Sequence, residues 1–200
     1  MCQDFLTSDH READDSGVSL SDVTGHRTPP ATLRSLRPVN WGIAQLAGAV
    51  TRTGDMHLFS TLGQTGGLFR AWLFYSGRLM PFGGLPRKDT ETVILRVAAL
   101  RDCRYEQDHH LRLGARAGID DALADAIAAG PDAPGLDSRT ALILRAVDEL
   151  VSTRDLSDAT WTELTTVWSS RSLIEFVLLV TQYDGLATTI TTLRIPRDYQ

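Results

Sequence analysis

Along most of this chain, apolar residues recur three and four positions apart, and no stretch alternates with period two. That rhythm predicts helices and no strands, so the fold class is all-α. Pro38 opens the first apolar stretch, VNWGIAQLAGAV, which predicts a helix over 39–52, broken by TGD at 53–55. MHLFSTLGQTGGLFRAWLFYSGRLM at 56–80 predicts two helices interrupted near Gly66 and Gly67. The second is rich in aromatics, and Phe69, Trp72, Phe74 and Tyr75 read as a core face. His57 reads as a surface or internally satisfied histidine.

A turn-rich loop, MPFGGLPRKD, leads into a helix over 87–101. Asp102 is placed to cap the next helix, 103–117, and Gly118 to close it. A short helix from Asp120 to Ala129 ends in the loop GPDAPGLD. A helix over 138–151 follows, with Leu142, Leu144, Ala146 and Leu150 as core positions. Ser157 caps DATWTELTTVW, and the capping-box spacing of Ser172 and Glu175 starts a long helix to about 192. Gly185 is a point where that helix would bend, and Pro196 marks the end of the folded part.

Residues 1–37 are polar, acidic near the start and broken by Gly17, Gly25, Pro29 and Pro30. They read as a disordered tail or one that docks on a partner subunit, and 38–200 as one helical domain. At 200 residues and 42% hydrophobic, the chain can bury a proper core. A net charge of −5 without a basic, aromatic-interleaved stripe points away from nucleic acid. No secretory leader pattern opens the chain. The longest apolar run, LIEFVLLV at 173–180, is too short for a membrane span and carries Glu175. The expectation is a soluble cytoplasmic protein. Of its two cysteines, Cys2 lies in the tail, so a structural disulfide to Cys103 is not expected.

The chemistry concentrates in ETVILRVAALRDCRYEQDHH, 91–110. Glu91 shares a helix face with Leu95 and Ala98, where a solvent-facing Glu would sit opposite. At ~100° per residue, Cys103, Glu106 and His110 share one face with Leu113, Gly114 and Ala117. His109 is rotated toward Arg112 and Arg116, so it is read as a solvent-facing bystander. Glu106 and His110, four apart, can hydrogen-bond. A carboxylate beside an imidazole raises its pKa and fixes its tautomer, which suits a general base or proton relay. A second carboxylate, Glu91, would separate the two acids' pKa values. The same groups could instead form a buried polar cluster tying two helices together. A helix start lowers the Cys103 thiol pKa and Glu106 opposes that, so the thiol reads as either reactive or inert. No metal is expected, because His109 and His110 diverge and no H-E-x-x-H or C-x-x-C motif exists.

LPRKDTETVILRVAAL, then DCRYEQDHHLRLGARAG, and near the end SLIEFVLLVTQYDGLATTI carry a resemblance. Over roughly 40–195 the chain resembles the carboxymuconolactone decarboxylase and alkylhydroperoxidase-D (AhpD-like) superfamily. The peroxidase branch has a Glu, a Cys twelve later, a second Cys fifteen later and a His nineteen later; here these are Glu91, Cys103, Glu106 and His110. In that branch the second cysteine attacks the hydroperoxide and the first resolves it. Glu106 stands in its place, so the disulfide cannot form. The resemblance implies an all-helical homo-oligomer (dimer, trimer or hexamer) with its site between helices. It also implies chemistry without metal or organic cofactor.

The leading expectation is a cofactor-independent lyase or isomerase acting by proton transfer on a small organic acid, lactone or enone. His110 is the general acid/base, Glu106 orients it, Glu91 is a second proton carrier and Cys103 lines the site. Phe69, Trp72 and Tyr183 are candidates for the substrate pocket. One alternative is a thiol-dependent hydroperoxide reductase using Cys103 with an external thiol. Another is a non-catalytic helical assembly protein.

Overall fold

The apolar rhythm resolves into nine helices and no strand among the described residues. The structure, a computed structural model, describes residues 25–29, 31–51 and 56–199. The expected break at 53–55, most of the expected tail and Cys2 lie outside them.

α1 (Leu33–Thr51) begins before Pro38, not after it. The reason is local. The Thr32 N–H donates to Ser35 Oγ (2.9 Å) and the Ser35 N–H to Thr32 Oγ1 (3.2 Å), a reciprocal cap that starts the helix early. Pro38 removes one helical hydrogen bond, while burial of Leu36, Asn40 and Ala44 holds the helix in place. Asn40 fastens α1 to the next two helices, α2 (His57–Gly63) and α3 (Gly67–Leu79). Its Nδ2 donates to the carbonyls of Gly63 (2.8 Å) and Gly66 (3.1 Å), and its Oδ1 accepts from Arg70. Gly66 has φ +66°, a turn that favours glycine. Phe74 is 75% exposed and Tyr75 37% exposed, contrary to the expected core face. α3 lies at the surface and buries Phe69 and Leu79 instead.

α4 (Arg87–Leu100) is the centre of the fold. Every residue from Asp89 to Ala98 is buried, because α5 (Arg104–Arg116), α6 (Asp121–Ala129), α7 (Ser138–Thr153) and α9 (Ser170–Leu193) all pack against it. α8 (Asp158–Val167) braces α7 and α9. Val93, Ile94 and Val97 meet Ile143, Val147, Phe176 and Leu179 in one core cluster. Each such side chain stabilises the fold by about 1.5–3 kcal/mol through removal from water. Arg96 is also buried. Its guanidinium forks onto Asp148 (2.6 and 2.7 Å) and donates to the carbonyls of Ile127 and Ala128 at the end of α6.

Asp120, Asp137 and Ser157 cap α6, α7 and α8, each accepting from the backbone N–H three residues on. Two expected caps differ. Asp102 does not cap α5. It sits at φ +45° with its carboxylate in solvent, and the buried Cys103 occupies the cap position. α9 is capped by Ser169, which accepts from Ser172, so the helix begins at Ser170. Glu175 instead accepts from the Gly84 N–H at 2.6 Å, tying the loop before α4 onto α9.

α9 runs unbroken through Gly185. By length and composition it could cross a membrane, but 44% of its apolar window is buried inside the fold as a core helix. Pro196 does not end the ordered chain. Arg194 takes a left-handed conformation and the Ile195 N–H donates back to the Ile190 carbonyl (3.0 Å), a Schellman-type close. Ile195 is buried, and the residues after it fold over α5.

Candidate active site

Glu91 is carried by the most buried helix and is itself fully buried. Its Oε2 lies 2.7 Å from His110 Nδ1 on α5. On the other side of the ring, His110 Nε2 lies 3.2 Å from Glu106 Oε2. The imidazole is thus held between two carboxylates, with neither nitrogen left over. The expected convergence of Glu91, Glu106 and His110 is present. At its outer end Glu91 Oε1 lies 2.7 Å from the Arg87 guanidinium, an ion pair too oblique to count as a hydrogen bond. Burial by itself lowers the His110 pKa. Hydrogen bonds and charge from Glu106 and Glu91 outweigh it and lift the value to about 9. The ring is therefore an imidazolium at neutral pH.

A cavity of about 310 Å³ opens beside this group, at the small end of the range for ligand sites. Glu106, His110, Trp72 and Tyr183 line it, together with Phe59, Met80, Leu113 and Leu186. Glu91 and Cys103 do not reach it. Phe69 does not line it either. It is 1% exposed and stacks against Trp72 (centroids 6.2 Å apart), bordering a neighbouring shallow cleft instead. The Tyr183 ring meets His110 edge-on at 5.2 Å. Burial, then the charges of Glu106 and Glu91, push its phenol well above the usual value, so it keeps its proton.

Cys103 is a free, buried thiol. Burial pushes its pKa up to about 11 and Glu106 adds to the rise, against lowering backbone hydrogen bonds from Glu106 and Tyr105. Of the opposing influences on this thiol, desolvation wins. Among the described residues, no group of three or more His, Cys, Asp or Glu side chains could hold a metal ion.

His109 is not a solvent-facing bystander. It is 8% exposed, and its Nε2 lies 2.9 Å from Asp198 Oδ2. The cause is the returning C-terminal segment, which covers the face of α5 that phasing alone assigns to solvent. Tyr105 donates to Asp198 Oδ2 and the His57 N–H to Asp198 Oδ1 (3.0 Å), with the His57 ring on the same oxygen. Burial opposes ionisation of Asp198, but His109, Tyr105 and His57 hold its pKa below the usual carboxylate range. Tyr199 packs on His109 and lies under Arg112, 3.4 Å from the ring centre. Tyr105 and His109 also line the cavity, so this second network forms one of its walls. Nothing near Asp198 in the sequence marks it, because its role depends on Ile195 folding back.

Residues 67–149 match the carboxymuconolactone decarboxylase family, and Glu91, Cys103, Glu106 and His110 all fall within that match. The matched segment is less than half of the chain, and with the fold it supports a relationship to the carboxymuconolactone decarboxylase/AhpD-like superfamily. Its fold is similar to a solved AhpD-core structure, an uncharacterised peroxidase-related protein from Ralstonia eutropha. That similarity has TM-score 0.75 and 17% identity, and covers 86% of this chain and 92% of that one. A peroxidase-related protein from Silicibacter sp. TM1040 gives TM-score 0.73 at 13% identity, covering 87% and 94%. A protein of unknown function from Agrobacterium tumefaciens gives 0.58 at 15%, covering 66% and 90%. Comparison with curated proteins finds no match.

Proposed function

We propose that this protein is a cofactor-independent proton-transfer enzyme, a lyase or isomerase acting on a small molecule in the Glu106 cavity. The observation that carries the reading is the Glu91–His110–Glu106 array with its last carboxylate at the cavity wall. Both His110 nitrogens are engaged, so Glu106 is the group that meets substrate. His110 is then a positioning residue that orients the Glu106 carboxylate from 3.2 Å, and Glu91 fixes the ring. This reverses the roles first expected for Glu106 and His110. Such a carboxylate takes a proton from carbon next to a carbonyl, the electron pair passes into the carbonyl, and the proton returns at another carbon. Tyr183, protonated at the same wall, is suited to donate to the developing oxyanion.

The thiol-peroxidase alternative needs an accessible thiolate. Cys103 is buried, carries a raised pKa and stands off the cavity, which speaks against it. Leu68, Phe74 and Phe82 leave apolar surface exposed, which fits association of subunits.

The test is isomerisation of β,γ-unsaturated lactones and enones to their conjugated isomers, followed by ultraviolet absorbance. Glu106→Gln should lower turnover by roughly 10²–10⁴-fold with folding intact. Undiminished turnover in that variant would reject the reading. Absence of turnover across the series would return the array to a packing role.

A further inference from the structure

Resting on the acid–base reading of Glu106, we infer that the cavity selects an uncharged, mainly apolar molecule bearing a carbonyl group, and rejects carboxylates. The walls are the first argument. Phe59, Trp72, Met80, Leu113 and Leu186 present hydrocarbon and aromatic surface, with Phe59 edge-on to Trp72 at 6.1 Å. Surface of this kind favours an apolar body over a hydrated one.

Charge is the second argument. The site contains two carboxylates, Glu91 and Glu106, and two cations, His110 and Arg87. They are matched in direct pairs at 2.7, 3.2 and 2.7 Å. Both nitrogens of His110 are occupied, and Arg87 is engaged by Glu91 away from the cavity. An incoming carboxylate would lose its water and meet Glu106 without an uncommitted cation among the described lining residues. A third carboxylate, Asp198, stands behind Tyr105 and His109 on the adjoining wall and keeps His109 engaged, so that ring is not an uncommitted partner for an anion either. An incoming ammonium would gain little, because Glu106 is already neutralised by His110.

Tyr183 is the third argument. Its ring lines the cavity against His110, and its hydroxyl has no hydrogen-bond partner among the described residues. A protonated phenol in an apolar wall is suited to a carbonyl oxygen. A lactone or ketone therefore fits where an organic acid does not. An uncharged substrate has no carboxylate to lose, which removes decarboxylation from the chemistry of this site and leaves proton transfer next to the carbonyl.

The experiment compares three molecules of one skeleton by isothermal titration at pH 7.5: 2-acetylnaphthalene, 2-naphthoate and 1-(2-naphthyl)ethylamine. The ketone should bind roughly ten-fold or more tightly than either charged analogue. Leu113→Arg, which places a cation in the wall, should shrink or invert the preference over naphthoate, while Leu113→Met keeps it and controls for folding. Tyr183→Phe should weaken ketone binding. Naphthoate or the amine binding as tightly as the ketone, or no saturable ketone binding, overturns the inference. Binding is read without turnover. Ketone preference in a protein that transfers no proton would therefore sink the acid–base reading alone.

Discussion

His109 and His110 are neighbours in the chain and serve different carboxylates. His110 Nδ1 lies 2.7 Å from Glu91 Oε2, and His109 Nε2 lies 2.9 Å from Asp198 Oδ2. One histidine faces the helical core, and the other faces the returning C-terminal segment. Both line the same cavity.

His110 couples folding to pH. Its pKa is raised from 6.5 to about 9 in the folded protein. A raised folded-state pKa contributes stability that is fully present below 6.5 and is lost as pH rises through about 9. Urea denaturation midpoints of the wild type should fall across that window. His110→Gln should be less stable at pH 6 and should show a flatter slope. An unchanged slope in the variant would assign the pH dependence elsewhere.

Asp198 gathers donors from three places in the chain, so its loss should be felt throughout. Asp198→Ala strands the His57 N–H, the Tyr105 hydroxyl and His109. Charge-assisted hydrogen bonds contribute about 1.5–3 kcal/mol each but are not additive, so a loss on the order of 3 kcal/mol is expected. Equilibrium denaturation at pH 7 measures it. A destabilisation under about 0.5 kcal/mol would show that the segment is only loosely docked.

Cys103 should behave as an inert thiol. Its pKa of about 11 and its burial predict slow reaction with a disulfide reagent at pH 8 in the folded protein, and fast reaction in urea. Glu106→Gln removes one repelling charge but not the burial, so it should speed the folded-state reaction only modestly. Fast stoichiometric labelling of the native protein would revive the peroxidase alternative.

Arg96→Lys should cost about 1.5–3 kcal/mol. Lysine cannot reproduce the fork onto Asp148 together with the two carbonyl contacts to α6. Thermal denaturation would show it as a clear fall in Tm. A loss confined to α6 would leave the Glu91 array intact.

Helical phasing made much of this site legible. It put Glu91 on the inward face, joined Glu106 to His110 across one turn, and set the limits of α4 and α5 nearly where they lie. It misplaced His109 for a definite reason. Phasing orders the residues around one helix but cannot reveal what covers each face, and here the cover is a short segment past Pro196. α1 carries the same lesson. Pro38 reads as a boundary until the Thr32–Ser35 cap and the buried Asn40 outweigh its lost hydrogen bond. Phe69 and Trp72 differ by a single turn of α3, yet only Trp72 reaches the cavity. That choice depends on how α3 leans on its neighbours, which periodicity does not encode.

Arg87 closes the outer end of the array. A guanidinium holds its proton at any ordinary pH, so it receives none from Glu91. The file of acids and imidazole is therefore blind toward solvent and open only toward the cavity. Once a substrate fills that space, a hydrogen taken by Glu106 has one way back. Isomerisation run in heavy water should then yield product that keeps the substrate's own hydrogen. Arg87→Gln, which gives the blind end a path to water, should let the label wash out.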